Sequence, residues 1–381
     1  MNGSKKIYIA CPWGPHGGGM FKVADYLIQG QALQVPDGGP RLVPLDTRGA
    51  MGAGFSLVAL TVALGRILFG KLTGGLIGVH VNMAERMSLF RKCCVVVWCR
   101  LIGMPVVLHL HAAQLHHFYR KLPRPLQGLV RWSFGRATTC IVLGQAARQF
   151  VVEELHVDPS KVEIVINGVP SPAHTRRQRS EGAPYRVVFL GNLSERKGVS
   201  DLLRAMAEPG WETRNVEVTF AGGGDVAGYE RRARELSVEH LVKFVGWADQ
   251  AKASSLLAQA DVLVLPSYDE GLPLVILEAL AHGVAVVCTP VGEIPTVFTD
   301  GKNACLVEPG NAASIAAGLR KVIDAPAFRE QLEGNGKAMY DAQFSMAHFF
   351  TSIAKIHARC FGAGARYHAS VSRAEAQEPA P

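Results

Sequence analysis

Two glutamates stand in one largely apolar stretch of the sequence, YDEGLPLVILEALAHG, which runs from Tyr268 to Gly283. Glu270 precedes a glycine, whereas Glu278 lies inside the apolar run VILEAL. A pair of carboxylates can bind a metal, serve as acid and base in hydrolysis, or accept hydrogen bonds from sugar hydroxyls. The loops nearby are built for phosphate, which acid–base hydrolysis does not need. The pair therefore favours a site that binds sugar hydroxyls.

The local pattern separates the two carboxylates. The run DVLVLPS predicts a buried strand, SYDEG a loop at its carboxyl end, and Pro273 the first turn of a helix that stops at His282 and Gly283. Glu270 is therefore predicted in the loop and Glu278 about a turn and a half into the helix. The helix start, from Gly271 to Leu274, adds backbone N–H donors for a phosphate or a sugar hydroxyl.

Two glycine-containing loops suit phosphate groups. HGGGM (16–20) follows the first predicted strand, and its Gly17 and Gly18 would let backbone N–H groups approach a phosphate. It lacks the GxGxxG spacing of a dinucleotide fingerprint. In GNLSERKG, Arg196 and Lys197 stand before a helix start and suit a diphosphate. A third loop, FAGGGD (220–225), is interpreted as a wall of the same nucleotide site.

Apolar strand runs alternate with helix-length segments along the chain, which predicts an α/β fold with parallel sheets. The polar stretch SPAHTRRQRSEGAP (171–184) interrupts the pattern and is the predicted linker. We expect a first doubly wound domain over 1–175 and a second over 184–345. A helix over 346–362 is predicted to pack back toward the first domain, and 363–381 are predicted to be disordered.

Charge is unevenly distributed. Residues 1–180 contain 21 Lys and Arg against 8 Asp and Glu, and the remainder contains 19 against 24. No acidic residue occurs between Arg86 and Val152, which predicts an anionic partner for the first half. The apolar segment 51–69 is broken by Arg66. We favour a buried helix there over a helix lying on an anionic membrane.

The eight cysteines form no CxxC pair and have no metal-binding spacing with histidine. This pattern predicts a reduced, cytoplasmic protein without a metal site. The N-terminal run KIYIAC reads as a first strand rather than a signal peptide.

The stretch PSYDEGLPLVILEALAHGVAVVCTPVGEIP resembles the signature of family 4 glycosyltransferases, and GNLSERKGVSDLL, VKFVGW and VEIVINGV resemble further segments of that family. The resemblance implies the GT-B fold, in which two doubly wound Rossmann-like domains face each other across a cleft. It also implies transfer of a hexose from a nucleotide-sugar, UDP- or GDP-linked, to a hydroxyl of a glycan or lipid-linked oligosaccharide. Family chemistry is retaining and requires neither metal nor cofactor.

The resemblance implies roles for particular residues. Glu278 would hold the ribose hydroxyls, Glu270 would be catalytic and contact the transferred sugar, and His111 in LHLHAAQ would be catalytic beside that sugar. Arg196 and Lys197 would bind the donor diphosphate. The other implied contacts are Gly17 and Gly18 to the donor phosphate or the acceptor, and Gly271, Leu272 and Leu274 to the donor sugar.

Three positions depart from the family pattern. Asn192 stands where an arginine is usual, Pro170 where an aspartate is usual, and Thr296 where a glutamate is usual. Arg196 is the nearest cation that could replace the missing arginine at the diphosphate.

The basic first half and the segment 51–69 together suggest an acceptor held at a membrane. We expect a polyprenyl-diphosphate-linked oligosaccharide, as in bacterial polysaccharide synthesis, and a peripheral position on the inner face of the cytoplasmic membrane. Nucleic acid is not expected, because the basic residues lack interleaved aromatics. The alternatives are a non-catalytic nucleotide- or glycan-binding relative, a phosphorylase of the same fold class, and a Rossmann-type oxidoreductase.

Overall fold

The computed structural model describes residues 5–13, 18–34, 39–49, 53–112, 114–172, 180 and 182–362. The chain divides into two compact units. The N-terminal unit comprises Met1–Gly168 together with the chain from Met346 onward, and the C-terminal unit comprises Val169–Ser345.

The N-terminal unit is built on a parallel six-stranded sheet with the order β2-β1-β3-β4-β5-β6. Its strands are mostly buried, because helices cover both faces of a parallel sheet. The strands are β1 Lys6–Cys11, β2 Arg41–Asp46, β3 Leu76–Met83, β4 Val106–Leu110, β5 Thr139–Val142 and β6 Val162–Ile164. The helices that follow them are α1 Gly19–Gln34, α2 Ala53–Leu72, α3 Met87–Leu101, α4 Leu115–Arg120, α5 Arg124–Gly135 and α6 Gln145–Gln149, which continues into a π-helical turn, Phe150–Glu154.

The C-terminal unit contains a second parallel sheet, ordered β12-β11-β10-β7-β8-β9. The order reverses direction between β7 and β10, and ligands of doubly wound sheets bind at the carboxyl ends of the strands at such a switch point. The strands are β7 Tyr185–Leu190, β8 Val216–Ala221, β9 Val242–Phe244, β10 Val262–Leu265, β11 Ala285–Cys288 and β12 Cys305–Leu306. The helices are α7 Val199–Met206, α8 Val226–Glu235, α9 Gln250–Gln259, α10 Leu274–Ala281, α11 Ile294–Val297, α12 Ala312–Asp324 and α13 Pro326–Met339. The predicted α/β class with two Rossmann-like units is confirmed.

The last helix, α14 (Met346–Phe361), belongs to the N-terminal unit and packs against α1, β3 and β4. Its apolar face is buried, and Phe361 lies so close to β3 that a methyl group at Gly78 would be 2.3 Å from the ring. Arg359 at the polar face forms an ion pair with Glu163. A wide apolar face explains why a helix from the far end of the chain completes this unit.

The boundary between the two units lies between Gly168 and Val169. It therefore comes before the polar stretch 171–184, from which we predicted a first domain over 1–175 and a second over 184–345. The backbone N–H of Val169 donates to the carbonyl of Phe344 at 2.9 Å, and the hydroxyl of Tyr340 donates to the carbonyl of Val169 at 3.2 Å. These bonds attach the chain to the C-terminal unit several residues earlier than composition indicated.

The prediction that 51–69 form a buried helix is wrong. Of the window from Phe55 to Leu72 within α2, only 17% is buried, and the window is long and apolar enough to cross a membrane by length and composition. A narrow stripe of Leu60, Ala63 and Ile67 faces the core. The large apolar side chains that are 56% to 76% exposed on this helix are Phe55, Leu57, Val58, Val62, Phe69 and Leu72.

Three histidines form a buried polar cluster where α14 meets the sheet. His80 on β3, His109 on β4 and His357 on α14 are each 0% exposed. Nδ1 of His80 lies 2.8 Å from Nε2 of His357, and Nε2 of His80 lies 3.2 Å from Nδ1 of His109. Burial lowers the pKa of His80 to about 3 and the pKa values of His109 and His357 well below the usual range. The cluster is therefore neutral in the folded protein.

We expect the N-terminal unit to lose stability as the pH falls below 6.5. Each histidine has a folded pKa below its unfolded pKa of about 6.5, so the unfolded chain binds more protons between pH 6.5 and the folded pKa. Each should cost about 1.4 kcal/mol per pH unit in that window. Urea denaturation of the full chain between pH 7.5 and 5.0 measures the slope.

The variant His357→Gln should make this pH dependence shallower, whereas the same change at the exposed His240 should leave it as it is. An identical slope in the wild type and in His357→Gln would contradict the assignment.

Candidate functional site

Two loops meet at the switch point of the C-terminal sheet. One follows β7 and contains the 3-10 turn Glu195–Lys197, and the other follows β10. The backbone N–H of Tyr268 donates to the carbonyl of Arg196 at 2.9 Å, and the guanidinium of Arg196 donates to the carbonyl of Asp269 at 2.6 Å. Gly198 has a φ of 71°, and a methyl group there would lie 2.0 Å from the carbonyl oxygen of Pro266. Only glycine allows this approach.

Lys197 and Glu270 form an ion pair across these loops. The same carboxylate oxygen of Glu270 accepts a hydrogen bond from the hydroxyl of Ser267 at 2.7 Å. The pair is largely removed from water, since the side chains of Lys197 and Glu270 are 13% and 8% exposed. Two residues predicted separately for the diphosphate and the sugar are thus in direct contact.

A third loop, after β11, supports Glu270 from the other side. Gly292 has a φ of 61°, and a methyl group there would lie 1.9 Å from the carbonyl oxygen of Glu270. The backbone N–H of Glu293 donates to the carbonyl of Gly271 at 3.1 Å. The backbone around Glu270 is therefore held by two neighbouring loops.

Sequence reasoning missed two residues that hold this loop. Ser267 and Thr289 are each 0% exposed, and the hydroxyl of Thr289 donates to the carbonyl of Ser267. Both follow adjacent strands, in DVLVLPS and VAVVCT. The position of a hydroxyl residue at the carboxyl end of each of two neighbouring parallel strands could have predicted this contact.

Helix α10 places the second glutamate. It begins at Leu274, directly after Pro273, and ends at Ala281 before Gly283, whose φ is 66°. Glu278 lies on this helix and is partly exposed, whereas Glu270 lies in the preceding loop. Of the residues predicted to contact the donor sugar, Leu272 and Leu274 are buried and Gly271 is half-buried at the helix start.

The glycine run after β8 has a structural reason. A methyl group at Gly222 would lie 1.7 Å from the carbonyl oxygen of Gly191, and one at Gly224 would lie 2.4 Å from that of Leu193. The backbone N–H of Leu193 donates to the carbonyl of Gly223 at 2.6 Å. The glycine run therefore allows the loop after β7 to pack closely against it. Asn192, in that loop, is exposed. Its interpretation as a nucleotide wall remains a prediction.

His111 lies at the carboxyl end of β4 in the N-terminal unit. Its Nε2 is 2.8 Å from the amide oxygen of Asn82, and its ring packs at a tilt against that of His109, with centroids 4.0 Å apart. Burial lowers the pKa of His111 to about 3, and nearby His80 contributes. With Asn82 accepting, Nε2 carries the proton and Nδ1 can accept a hydrogen bond.

Asn82 was not predicted. The alternation in GVHVNM places His80 and Asn82 on one face of β3, and that in VLHLHAA places His109 of β4 and His111, just after β4, on the same side, which was a usable signal. Gly18 is exposed just before α1, and Gly17 lies outside the described residues. Within the described ranges, no group of three or more His, Cys, Asp or Glu side chains could hold a metal ion.

We expect strong energetic coupling between Lys197 and Glu270. Lys197→Met leaves a shielded carboxylate without its cation and should cost about 3 kcal/mol of folding free energy. The double variant Lys197→Met/Glu270→Gln should cost clearly less than the sum of the two single variants. Urea denaturation of the full chain measures all three.

The exposed pair Lys337 and Asp341 is the matched control, with coupling expected below about 1 kcal/mol. Additive costs at Lys197 and Glu270 would contradict the ion pair.

Residues 171–339 match the family model described as glycosyl transferases group 1. An uncharacterized glycosyltransferase of Methanocaldococcus jannaschii is 28% identical over 250 residues, which are 61% of this chain and 64% of that protein. A D-inositol 3-phosphate glycosyltransferase of Corynebacterium aurimucosum is 30% identical over 226 residues, which are 55% of this chain and 53% of that protein. The chain thus spans between about half and two thirds of the length of these curated relatives.

Solved structures match over nearly the whole chain. Sucrose-phosphate synthase from Thermosynechococcus elongatus has a TM-score of 0.76 at 18% identity, and the match covers 94% of this chain and 100% of that chain. Anabaena HepE in complex with UDP-glucose has a TM-score of 0.72 at 18% identity and covers 93% of this chain and 99% of its own. The chain therefore has the two-Rossmann α/β fold of GT-B glycosyltransferase structures, and its C-terminal unit is similar in sequence to glycosyl transferases group 1.

Proposed function

We propose that this chain is a glycosyltransferase that moves a hexose from a nucleotide-sugar to a hydroxyl of a glycan or lipid-linked oligosaccharide, with retention of configuration. The observation that carries the proposal is the pairing of Lys197 with Glu270 at the switch point of the C-terminal sheet. The match of residues 171–339 to glycosyl transferases group 1 supports it, as does the UDP-glucose bound to Anabaena HepE.

The proposed donor site uses the loops described above. Lys197 and Arg196 neutralise the diphosphate, and the start of α10 adds backbone N–H donors. Glu278 accepts hydrogen bonds from the ribose hydroxyls, and Glu270 accepts them from the hexose. In the absence of ligand, Glu270 holds the ammonium of Lys197 in place. An arriving diphosphate shares that ammonium, and the carboxylate becomes available to hexose hydroxyls.

In the transfer step, the bond between the anomeric carbon and the diphosphate oxygen breaks, and the acceptor oxygen bonds to that carbon on the same face. The acceptor proton passes to the departing phosphate oxygen. Negative charge grows on the diphosphate, so Lys197 and Arg196 stabilise the transition state more than the ground state. These cations supply the neutralising charge, and we therefore assign no metal or cofactor.

His111 is assigned a place beside the reacting sugar. Its pKa of about 3 makes the ring neutral at physiological pH, so it contributes a hydrogen bond rather than a positive charge. Asn82 fixes the proton on Nε2 and leaves Nδ1 to accept from a sugar hydroxyl.

The exposed face of α2 supports a membrane-bound acceptor. Large apolar side chains such as Leu57 and Phe69 point to solvent on this helix, and Arg66 and Lys71 accompany them. Apolar and basic side chains on one helix suit an anionic membrane surface. We propose a peripheral position on the inner face of the cytoplasmic membrane, with a polyprenyl-diphosphate-linked oligosaccharide as acceptor in bacterial polysaccharide synthesis.

Binding of a nucleotide-sugar should raise the melting temperature of the full chain, because a ligand of the folded state stabilises it. We expect one among UDP-, GDP- and ADP-hexoses to do so in a thermal-shift measurement. Glu278→Gln should reduce the shift, whereas Glu239→Gln, an exposed change on the same unit, should not. No shift with any nucleotide-sugar would remove the basis of the proposal.

Membrane association should depend on both lipid charge and α2. We expect the chain to co-sediment with vesicles that contain anionic lipid, and binding should weaken as salt is raised. Leu57→Ser/Val62→Ser should reduce co-sedimentation, and Ile164→Ser, at an exposed position away from α2, should not. Equal binding to anionic and zwitterionic vesicles would count against the membrane proposal.

A further inference from the structure

A cluster of three cations, which face one carboxylate among the described residues, lies at the carboxyl end of β2 in the N-terminal unit. It consists of Arg48, after β2, and of Arg91 and Lys92 on α3. Lys92 is 0% exposed, and in the described part of the chain its ammonium donates to one side chain, the hydroxyl of the equally buried Thr47. A buried ammonium without a carboxylate partner is costly and demands an explanation.

The carboxylate whose charge acts on Arg91 and Lys92, that of Asp46, already accepts hydrogen bonds from backbone groups. Its two oxygens accept from the N–H groups of Trp13 at 3.4 Å, Arg48 at 2.8 Å and Gly49 at 3.1 Å. One negative charge therefore faces three positive charges. No ion pair to Arg48, Arg91 or Lys92 occurs within the described ranges.

The three cations also oppose one another. Burial lowers the pKa of Arg91, and the charge of Arg48 lowers it further. Burial lowers the pKa of Lys92 to about 7, with Arg91 contributing to the decrease. Nε of Arg91 is buried and has no hydrogen-bond partner among the residues that the structure describes. An anion placed among these groups would relieve all three effects.

The start of α1 lies beside the cluster. Cys11, at the end of β1, has its thiol 3.8 Å from the carbonyl oxygen of Met20 in the first turn of α1, and the charge of Lys92 acts on the same thiol. The N-terminus of this 16-residue helix adds a partial positive charge. One guanidinium group can donate two parallel hydrogen bonds to the oxygens of a phosphate. The arrangement therefore suits a phosphomonoester or a diphosphate.

We propose that Arg48, Arg91 and Lys92 form a second phosphate-binding site, separate from Lys197, which takes the phosphate group of the acceptor. Arg48 and Arg91 contact the phosphate oxygens, and Lys92 lies beneath them and becomes fully protonated when the anion binds. That the phosphate belongs to the acceptor rests on the proposed glycosyltransferase function, whereas the anion site itself does not.

Inorganic pyrophosphate is the probe, and calorimetric titration of the full chain is the measurement. The variant Lys197→Met serves as background, so that binding at the donor site does not contribute. In this background, Arg48→Gln/Arg91→Gln should weaken pyrophosphate binding at least tenfold. Arg124→Gln, an exposed change on α5 of the same unit, should leave it unchanged. The proposal would be overturned if Arg48→Gln/Arg91→Gln bound pyrophosphate as tightly as the Lys197→Met background. It would also be overturned if Arg124→Gln weakened pyrophosphate binding as much as Arg48→Gln/Arg91→Gln does.

Proton uptake provides a second measurement. Near pH 7.5, pyrophosphate binding should be accompanied by proton uptake, measured by repeating the titration in buffers of different ionisation enthalpy. Lys92→Met should lower this uptake. Uptake that is the same in Lys92→Met would exclude the buried ammonium from the site.

Two further measurements distinguish a lipid headgroup from a soluble phosphate as the ligand, and the anion site from the proposed donor site. Binding only to vesicles that contain phosphatidic acid, with soluble pyrophosphate ignored, would assign the cluster to lipid headgroups and overturn the proposal. Arg48→Gln/Arg91→Gln should retain the thermal shift given by a nucleotide-sugar, and loss of that shift would merge the two sites. If pyrophosphate binds at the cluster while no nucleotide-sugar binds the wild type, the proposed function fails and the anion site stands.

Discussion

The ion pair between Lys197 and Glu270 is the interaction on which the C-terminal unit is organised. It joins the loops after β7 and β10, the two strands that flank the switch point. Neither charge can be shielded from water alone, so each requires the other until a ligand supplies a replacement. The glycines at 198 and 292 serve this pair, because a side chain at 198 would collide with the carbonyl of Pro266 and one at 292 with the carbonyl of Glu270.

The N-terminal unit shows the opposite electrostatic design. Three of its histidines, His80, His109 and His357, are buried in a neutral state and linked by hydrogen bonds. Its three cations near β2, in contrast, face a single carboxylate in the described part of the chain, that of Asp46. The buried cation at the C-terminal switch point is therefore paired with a carboxylate, whereas the cations near β2 outnumber theirs. Under the proposed function, an anionic acceptor would supply the missing negative charge at the cations near β2.

Much of the fold was predictable from local patterns. Apolar runs separated by helix-length segments indicated two parallel sheets, and Pro273 with Gly283 marked the limits of α10 closely. The loop position of Glu270 and the helical position of Glu278 followed from the same signals. Contacts between distant segments were not predictable, because the pairing of Lys197 with Glu270 and that of His80 with His357 arise only from strand order and helix packing.

The helix α2 shows where composition misleads. Its apolar run indicated burial, but the sheet accommodates only the stripe of Leu60, Ala63 and Ile67. A helix that is apolar all round has no periodicity from which its buried face could be read. The unit boundary was misplaced for a related reason, since the polar linker composition does not reveal that Val169 is already hydrogen-bonded to the C-terminal unit.

The most direct measurement follows a nucleotide-hexose by phosphorus and proton NMR during incubation with the full chain and a glycan acceptor, whose hydroxyl forms the new glycosidic bond. We expect release of the nucleoside diphosphate and a sugar product that retains the anomeric configuration, with both abolished in Glu270→Gln. Release that proceeds equally in Glu270→Gln, or a product of inverted configuration, would contradict the central claim that the Lys197–Glu270 loops form the donor site of a retaining glycosyltransferase.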